Sequence, residues 1–89
     1  MNLIRKRIRF TGSVQGVGFR WRARHAAELV GCTGWCRNEW DGSVLMEIQG
    51  EGAGIERVLL ALRTGRFIDI DTMEAVTIPV IPEHGFRTE

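Results

Sequence analysis

The chain is poor in most residue types that mark a specialised class of protein. Among its 89 residues it has no tyrosine, two prolines, two histidines and two cysteines. One close pair, Cys32 and Cys36, cannot frame a disulfide scaffold. A zinc site needs about four ligands, and His25 and His84 complete no known spacing with them. Both cysteines therefore read as small buried hydrophobes. No apolar run approaches the roughly 20 residues of a membrane span. The opening Met-Asn-Leu-Ile-Arg-Lys-Arg carries charge where a signal peptide needs its apolar stretch. These absences point to a cytoplasmic protein with no membrane contact. Acidic residues are also missing from the first 24 positions, which hold Arg5, Lys6, Arg7, Arg9, Arg20, Arg22 and Arg24. All eleven acids come later, although the net charge is only +1. Such asymmetry favours an anionic ligand near the N-terminal half.

What is present is the balance of a soluble globular protein, 44% hydrophobic and 26% charged. A chain of this size makes one domain, residues 1–89, able to bury a modest core without metal or disulfides. The most informative stretch is Gly12-Ser13-Val14-Gln15-Gly16-Val17-Gly18-Phe19-Arg20. It lies between an alternating, strand-like segment and one of helical period. A glycine-rich turn from strand to helix aims several backbone N–H groups at one anion. Arg20 falls at the helix start, where a guanidinium adds two donors in a fixed fork. Gln15, Gly16, Val17, Gly18, Phe19 and Arg20 are thus candidate phosphate-binding residues. No Gly-Lys-Ser/Thr follows, so the loop is not that of the P-loop enzymes, and the dinucleotide spacing GxGxxG is missing.

The elements around the loop suggest a fold. In residues 4–10, Ile4, Lys6, Ile8 and Phe10 alternate with Arg5, Arg7 and Arg9, as in a strand with one buried face. Phe19, Ala23, Ala26, Ala27 and Val30 fall at helical spacing, with Gly31 as the stop. Residues 34–39 and 43–49 read as a hairpin turning at Trp40-Asp41-Gly42. Gly50, Gly52 and Gly54 read as a loop. A second helix carries Ile55, Val58, Leu59 and Leu62 on one stripe and ends at Gly65. Residues 70–80 are strand-like, and a short tail near Phe86 offers a last edge strand. The order β-α-β-β-α-β predicts an α+β, ferredoxin-like split βαβ sandwich, an antiparallel sheet with two helices on one face.

With loop and topology in place, the chain resembles the acylphosphatases. The matching residues are Gly12, then Val14-Gln15-Gly16-Val17-Gly18-Phe19-Arg20, then Gly34-Trp35-Cys36-Arg37-Asn38, then Asp41-Gly42-Ser43-Val44. The resemblance implies hydrolysis of the carboxyl–phosphate bond of small acyl phosphates to carboxylate and inorganic phosphate. It implies catalytic roles for Arg20, on the phosphoryl group, and Asn38, on the attacking water. A monomer with neither cofactor nor metal is expected. The chain departs from the family at Cys36, where an aliphatic residue is usual, at Trp21 after the arginine, and at Gly65-Arg66, where Gly-Pro often follows the second helix.

An arginine and an amide suit this reaction although neither titrates near neutral pH. The leaving group is a carboxylate whose conjugate acid has a pKa of about 4, so no acid must protonate it. Phosphoryl transfer is mostly positioning and charge stabilisation. Two rival readings carry less weight. Arg5, Arg7, Arg9, Trp35 and Arg37 share the open face on which such sheets bind RNA, but residues 43–49 lack the aromatics that stack bases. Arginine stacked on Trp35 and neutralised by Glu47 is the simpler account, so no nucleic-acid partner is expected. Similar domains also begin the hydrogenase-maturation carbamoyltransferases. Those chains continue into cysteine-paired zinc modules, and no such pairs occur here, so a free-standing enzyme is expected.

Overall fold

A computed structural model describes residues 2–89. The elements run β1 (Ile4–Ser13), α1 (Phe19–Val30), β2 (Thr33–Asn38), β3 (Val44–Gly50), α2 (Gly52–Arg63), β4 (Asp69–Ile78) and β5 (Phe86–Thr88). They form one sheet in the order β4-β1-β3-β2-β5. Four strands pair antiparallel as expected, and β5 adds to β2 in parallel, so the sheet is mixed.

Strand period places the core. Ile8 faces Met46 and Phe10 faces Val44 across β1 and β3, while Cys36 faces Met46 across β2 and β3. These side chains share one side of the sheet and are wholly buried. From the helices they meet Phe19, Ala23 and Ala27 of α1 and Ile55, Val58 and Leu62 of α2. Phe10 and Phe19 meet edge to face, with ring centroids 4.9 Å apart. The helical stop at Gly31 is a left-handed residue, as the sequence suggests.

One expectation changes. Gly50, Gly52 and Gly54 form no loop: Gly50 ends β3, and Gly52 and Gly54 open α2. The cause is close packing. A Cβ on Gly50 would lie 2.7 Å from Cys32 Sγ, and one on Gly54 3.2 Å from it. Residues 70–80 are strand-like as expected, as β4. β4 is an edge strand whose residues are exposed on both sides except near its ends.

The other side of the sheet is closed by chain connectivity. β4 and β5 lie on opposite edges, four interstrand steps or about 19 Å apart. The eight steps from Ile78 to Phe86 reach about 26–29 Å when extended, so the connection can cross this face with only modest slack. Gln49 pins the crossing: its Nε2 donates to the Ile81 carbonyl at 2.7 Å, and its Oε1 accepts from the Ile81 N–H at 3.0 Å. Glu83 then lands on Arg5, which donates to both its oxygens at 2.7 and 3.3 Å. Arg5 also donates to Glu47 and Gln49, and is only 1% exposed. Arg7 pairs with the other oxygen of Glu47 at 2.6 Å, and Arg37 lies over the Trp35 ring. Arg5 and Arg7 are thus neutralised within the sheet face.

Burial alone would push the Glu83 carboxyl up, but hydrogen bonds from Arg5 and Thr33 outweigh it and hold the group below its ordinary value of 4.5. A carboxylate lowered on folding stabilises above its unfolded value, and that stabilisation fades as pH falls through the folded value. Between about pH 5 and about pH 3, thermal melts of Glu83→Gln should therefore lose less stability than the wild type. An equal loss in both proteins would contradict this account of the crossing.

Candidate active site

Two glycines shape the turn between β1 and α1. Gly16 and Gly18 have φ of +72° and +80°, a left-handed conformation that other residues resist. Gly18 is the N-cap of α1 and offers no side-chain hydrogen bond. The first intrahelical bond at this end runs from the Arg22 N–H to the Gly18 carbonyl. No acidic side chain occupies the first turn. The leading N–H groups of α1 are therefore open at the positive end of the helix dipole, as an anion site requires.

The structure gathers most of the expected residues around one small cavity of about 190 Å³, lined by Val14, Gly16, Gly18, Phe19, Arg20, Trp21 and Asn38. Each arrives for a local reason. Phe19 is 2% exposed and anchors the start of α1 in the core. Arg20 follows it in the first turn and donates Nη1 to the Glu89 carbonyl at 2.8 Å. That contact exists because β5 runs beside β2 and is continued by the Glu89 N–H bonding to the Cys36 carbonyl. Asn38 faces Val44, itself paired with Phe10, so strand period turns its amide to the helix side of the sheet. Side chains from α1 and the end of β2 thus converge.

Gln15 and Val17 stand outside the lining, and their side chains have other work. The Gln15 amide donates to the Glu39 carbonyl at 2.7 Å and the Ser43 carbonyl at 2.8 Å. It clips the glycine loop to the β2–β3 turn. Val17 packs against the core. Only backbone N–H groups of these two residues remain to hold an anion. The clipped turn is itself braced. Asp41 Oδ1 accepts from the Ser43 N–H and hydroxyl at 3.0 and 2.6 Å. Those bonds, the hydroxyl's first, hold the Asp41 carboxyl below its usual value. Arg9 also donates to the Ser43 hydroxyl. This support is a role that the sequence reading missed. Its visible trace is Asp41-Gly42-Ser43, the pattern of an aspartate bonding its own backbone two residues on. Trp21, noted there only as a departure, lines the cavity.

The electrostatics of the cavity are simple. Arg20 is the single charged residue of the lining, and no carboxylate, imidazole or thiol belongs to it. Cys36 lies close enough for Arg20 to favour its thiolate, but complete burial dominates and pushes the thiol up to about 12. It stays protonated at neutral pH and is no nucleophile. Both cysteines are free. Among the described residues, no group of three or more His, Cys, Asp or Glu side chains is placed to hold a metal ion. The arrangement can bind a phosphoryl group through backbone N–H groups and one guanidinium, with an amide beside it.

Comparison with known proteins identifies the family. The family model described as Acylphosphatase matches residues 6–88. An acylphosphatase of Bifidobacterium longum is 40% identical over 83 residues, covering 92% of this chain and 86% of the relative. The crystal structure of an acylphosphatase from Bacillus subtilis superposes with a TM-score of 0.89 at 26% identity, over 97% of this chain and 98% of that one. An acylphosphatase from Coxiella burnetii gives a TM-score of 0.90 at 27% identity, over 99% and 94%.

Proposed function

The chain belongs to the acylphosphatase family, hydrolases acting on acyl phosphates, and on that premise we propose that Arg20 and Asn38 carry the reaction. The observation that bears the reading is their convergence on one cavity that holds a single cation and no titrating base. Arg20 and the N–H groups of residues 15–20 bind the phosphoryl oxygens. Asn38 accepts a hydrogen bond from a water and holds it in line with the phosphorus. As the new O–P bond forms, the bond to the acyl oxygen breaks, and its electron pair leaves on the carboxylate. The water's proton passes to a phosphoryl oxygen of the substrate. Charge spread over those oxygens is stabilised by donors already in place.

Small acyl phosphates fit a cavity of about 190 Å³. The lining residues come from the glycine turn after β1, from α1 and from β2 of one continuous fold, which supports a single domain, residues 1–89, and we propose that it acts as a monomer. Free buried thiols at Cys32 and Cys36 support a reducing, cytoplasmic setting. Among the described residues no helix is long and apolar enough to cross a membrane. The pairing of Arg5 and Arg7 with Glu47 supports the reading without a nucleic-acid partner.

Inorganic phosphate, the product, tests the assignment of the cradle. At ten times its dissociation constant it should stabilise the fold by about 1.4 kcal/mol. In a domain of this size the melting temperature should rise by about 6–11 °C. The rise should disappear in Arg20→Ala, and chloride at matched ionic strength should not reproduce it. Equal stabilisation of both proteins by phosphate would place the anion on the exposed arginines and remove the assignment.

A further inference from the structure

Trp21 is a large apolar side chain that the hydrolysis itself leaves without a task. It lines the same cavity as Arg20 and Asn38 and yet is 67% exposed. It takes no part in the buried core, whose α1 members are Phe19, Ala23 and Ala27. Its neighbours in the lining offer little to an apolar group. Val14 and Phe19 are 1% and 2% exposed, and Gly16 and Gly18 have no side chains. The indole is thus the one broad apolar surface at the mouth.

The ring is also held in place. One helical turn on, His25 stacks against it, with ring centroids 5.0 Å apart and planes 7° from parallel. Residues four apart on a helix are neighbours, so this contact is built into α1. Beyond it, the Arg24–Glu28 ion pair borders a second shallow cleft that Trp21 shares. A side chain already oriented loses less freedom when a ligand lies against it.

We propose that Trp21 forms the wall of an acyl-group subsite and gives the site a preference for acyl phosphates with flat, aromatic acyl groups. The proposal rests on the placement of the phosphoryl group at the glycine loop and Arg20. With that end fixed, the acyl group must project through the mouth. Successive helix residues point about 100° apart, so Trp21 stands beside Arg20 on the solvent side of the loop. A benzoyl ring lying on the indole gains an offset-stacked or edge contact that an acetyl group cannot make. His25 is a positioning residue that keeps the indole in the orientation to receive it.

The test is the ratio of kcat/KM for benzoyl phosphate to that for acetyl phosphate. In Trp21→Ala the ratio should fall about threefold to tenfold, the size of one aromatic contact, mainly through a higher KM for benzoyl phosphate. Trp21→Phe should restore most of it, and His25→Ala should lower it by a smaller factor in the same direction. Circular dichroism should report a folded protein throughout, since both rings are exposed. A ratio unchanged in Trp21→Ala, with the wild type active on both substrates, would overturn this inference alone. A wild type inactive on both would overturn the catalytic assignment and this inference with it.

Discussion

Arg20→Ala is expected to slow acyl phosphate hydrolysis by about 10²–10³, the effect of removing one donor aimed at developing charge in a protected site. The loss should be at least this large, because Arg20 is the only charged side chain in the lining. The backbone donors remain in the variant, so a residual rate above water is expected. Stability should change little. The side chain makes one hydrogen bond, to the Glu89 carbonyl, and such a bond contributes about 1 kcal/mol net. Arg20→Lys should recover only part of the rate, since an ammonium is a point charge and cannot replace a planar fork. Single-turnover rates beside thermal melts separate the two effects. Activity within a few-fold of wild type would remove Arg20 from the mechanism.

Asn38→Ala should lower kcat by about 10² with KM nearly unchanged, because the amide is assigned to the water and not to the phosphate. A misplaced nucleophile costs a factor of this order. A collapse of affinity at constant kcat would instead make Asn38 a binding residue. Asn38→Asp is the sharper variant. General-base help contributes about 10²–10⁴, or about 3–5 kcal/mol. A carboxylate about 4 Å from one phosphoryl charge costs about 4 kcal/mol at an effective dielectric of 20, and about twice that for a dianion. Repulsion exceeds the help, so the aspartate variant should be slower than wild type and bind phosphate more weakly.

Much of this site is legible in the chain because its parts are local. Phe19, Ala23, Ala27 and Gly31 mark α1 from end to end by period and stop, and the glycines before Phe19 announce the turn. The hairpin is readable from Asp41-Gly42, and with it the place of Asn38 at a strand end. Other features are set by contacts between distant segments and leave no local trace. Alternation puts Arg5 on the polar face of β1, yet its burial depends on residues 79–85 crossing that face. Gly50, Gly52 and Gly54 look like a loop by composition, whereas Gly50 and Gly54 answer to Cys32 packed against them. Gln15 sits within the phosphate-loop pattern, but its amide is claimed by the β2–β3 turn, and only the folded pairing of the two segments reveals that.

The central claim is that a cavity with one cation, one amide and no base suffices because the substrate brings its own good leaving group. Rates on acetyl phosphate and phenyl phosphate, measured side by side with the wild-type protein, test it most directly. The two leaving groups differ by about six units in conjugate-acid pKa, about 4 against about 10. If half of that difference is expressed in a loose transition state, kcat/KM should favour acetyl phosphate by about 10³ or more. Comparable rates on the two substrates would show that the site protonates its leaving group, and would contradict the account.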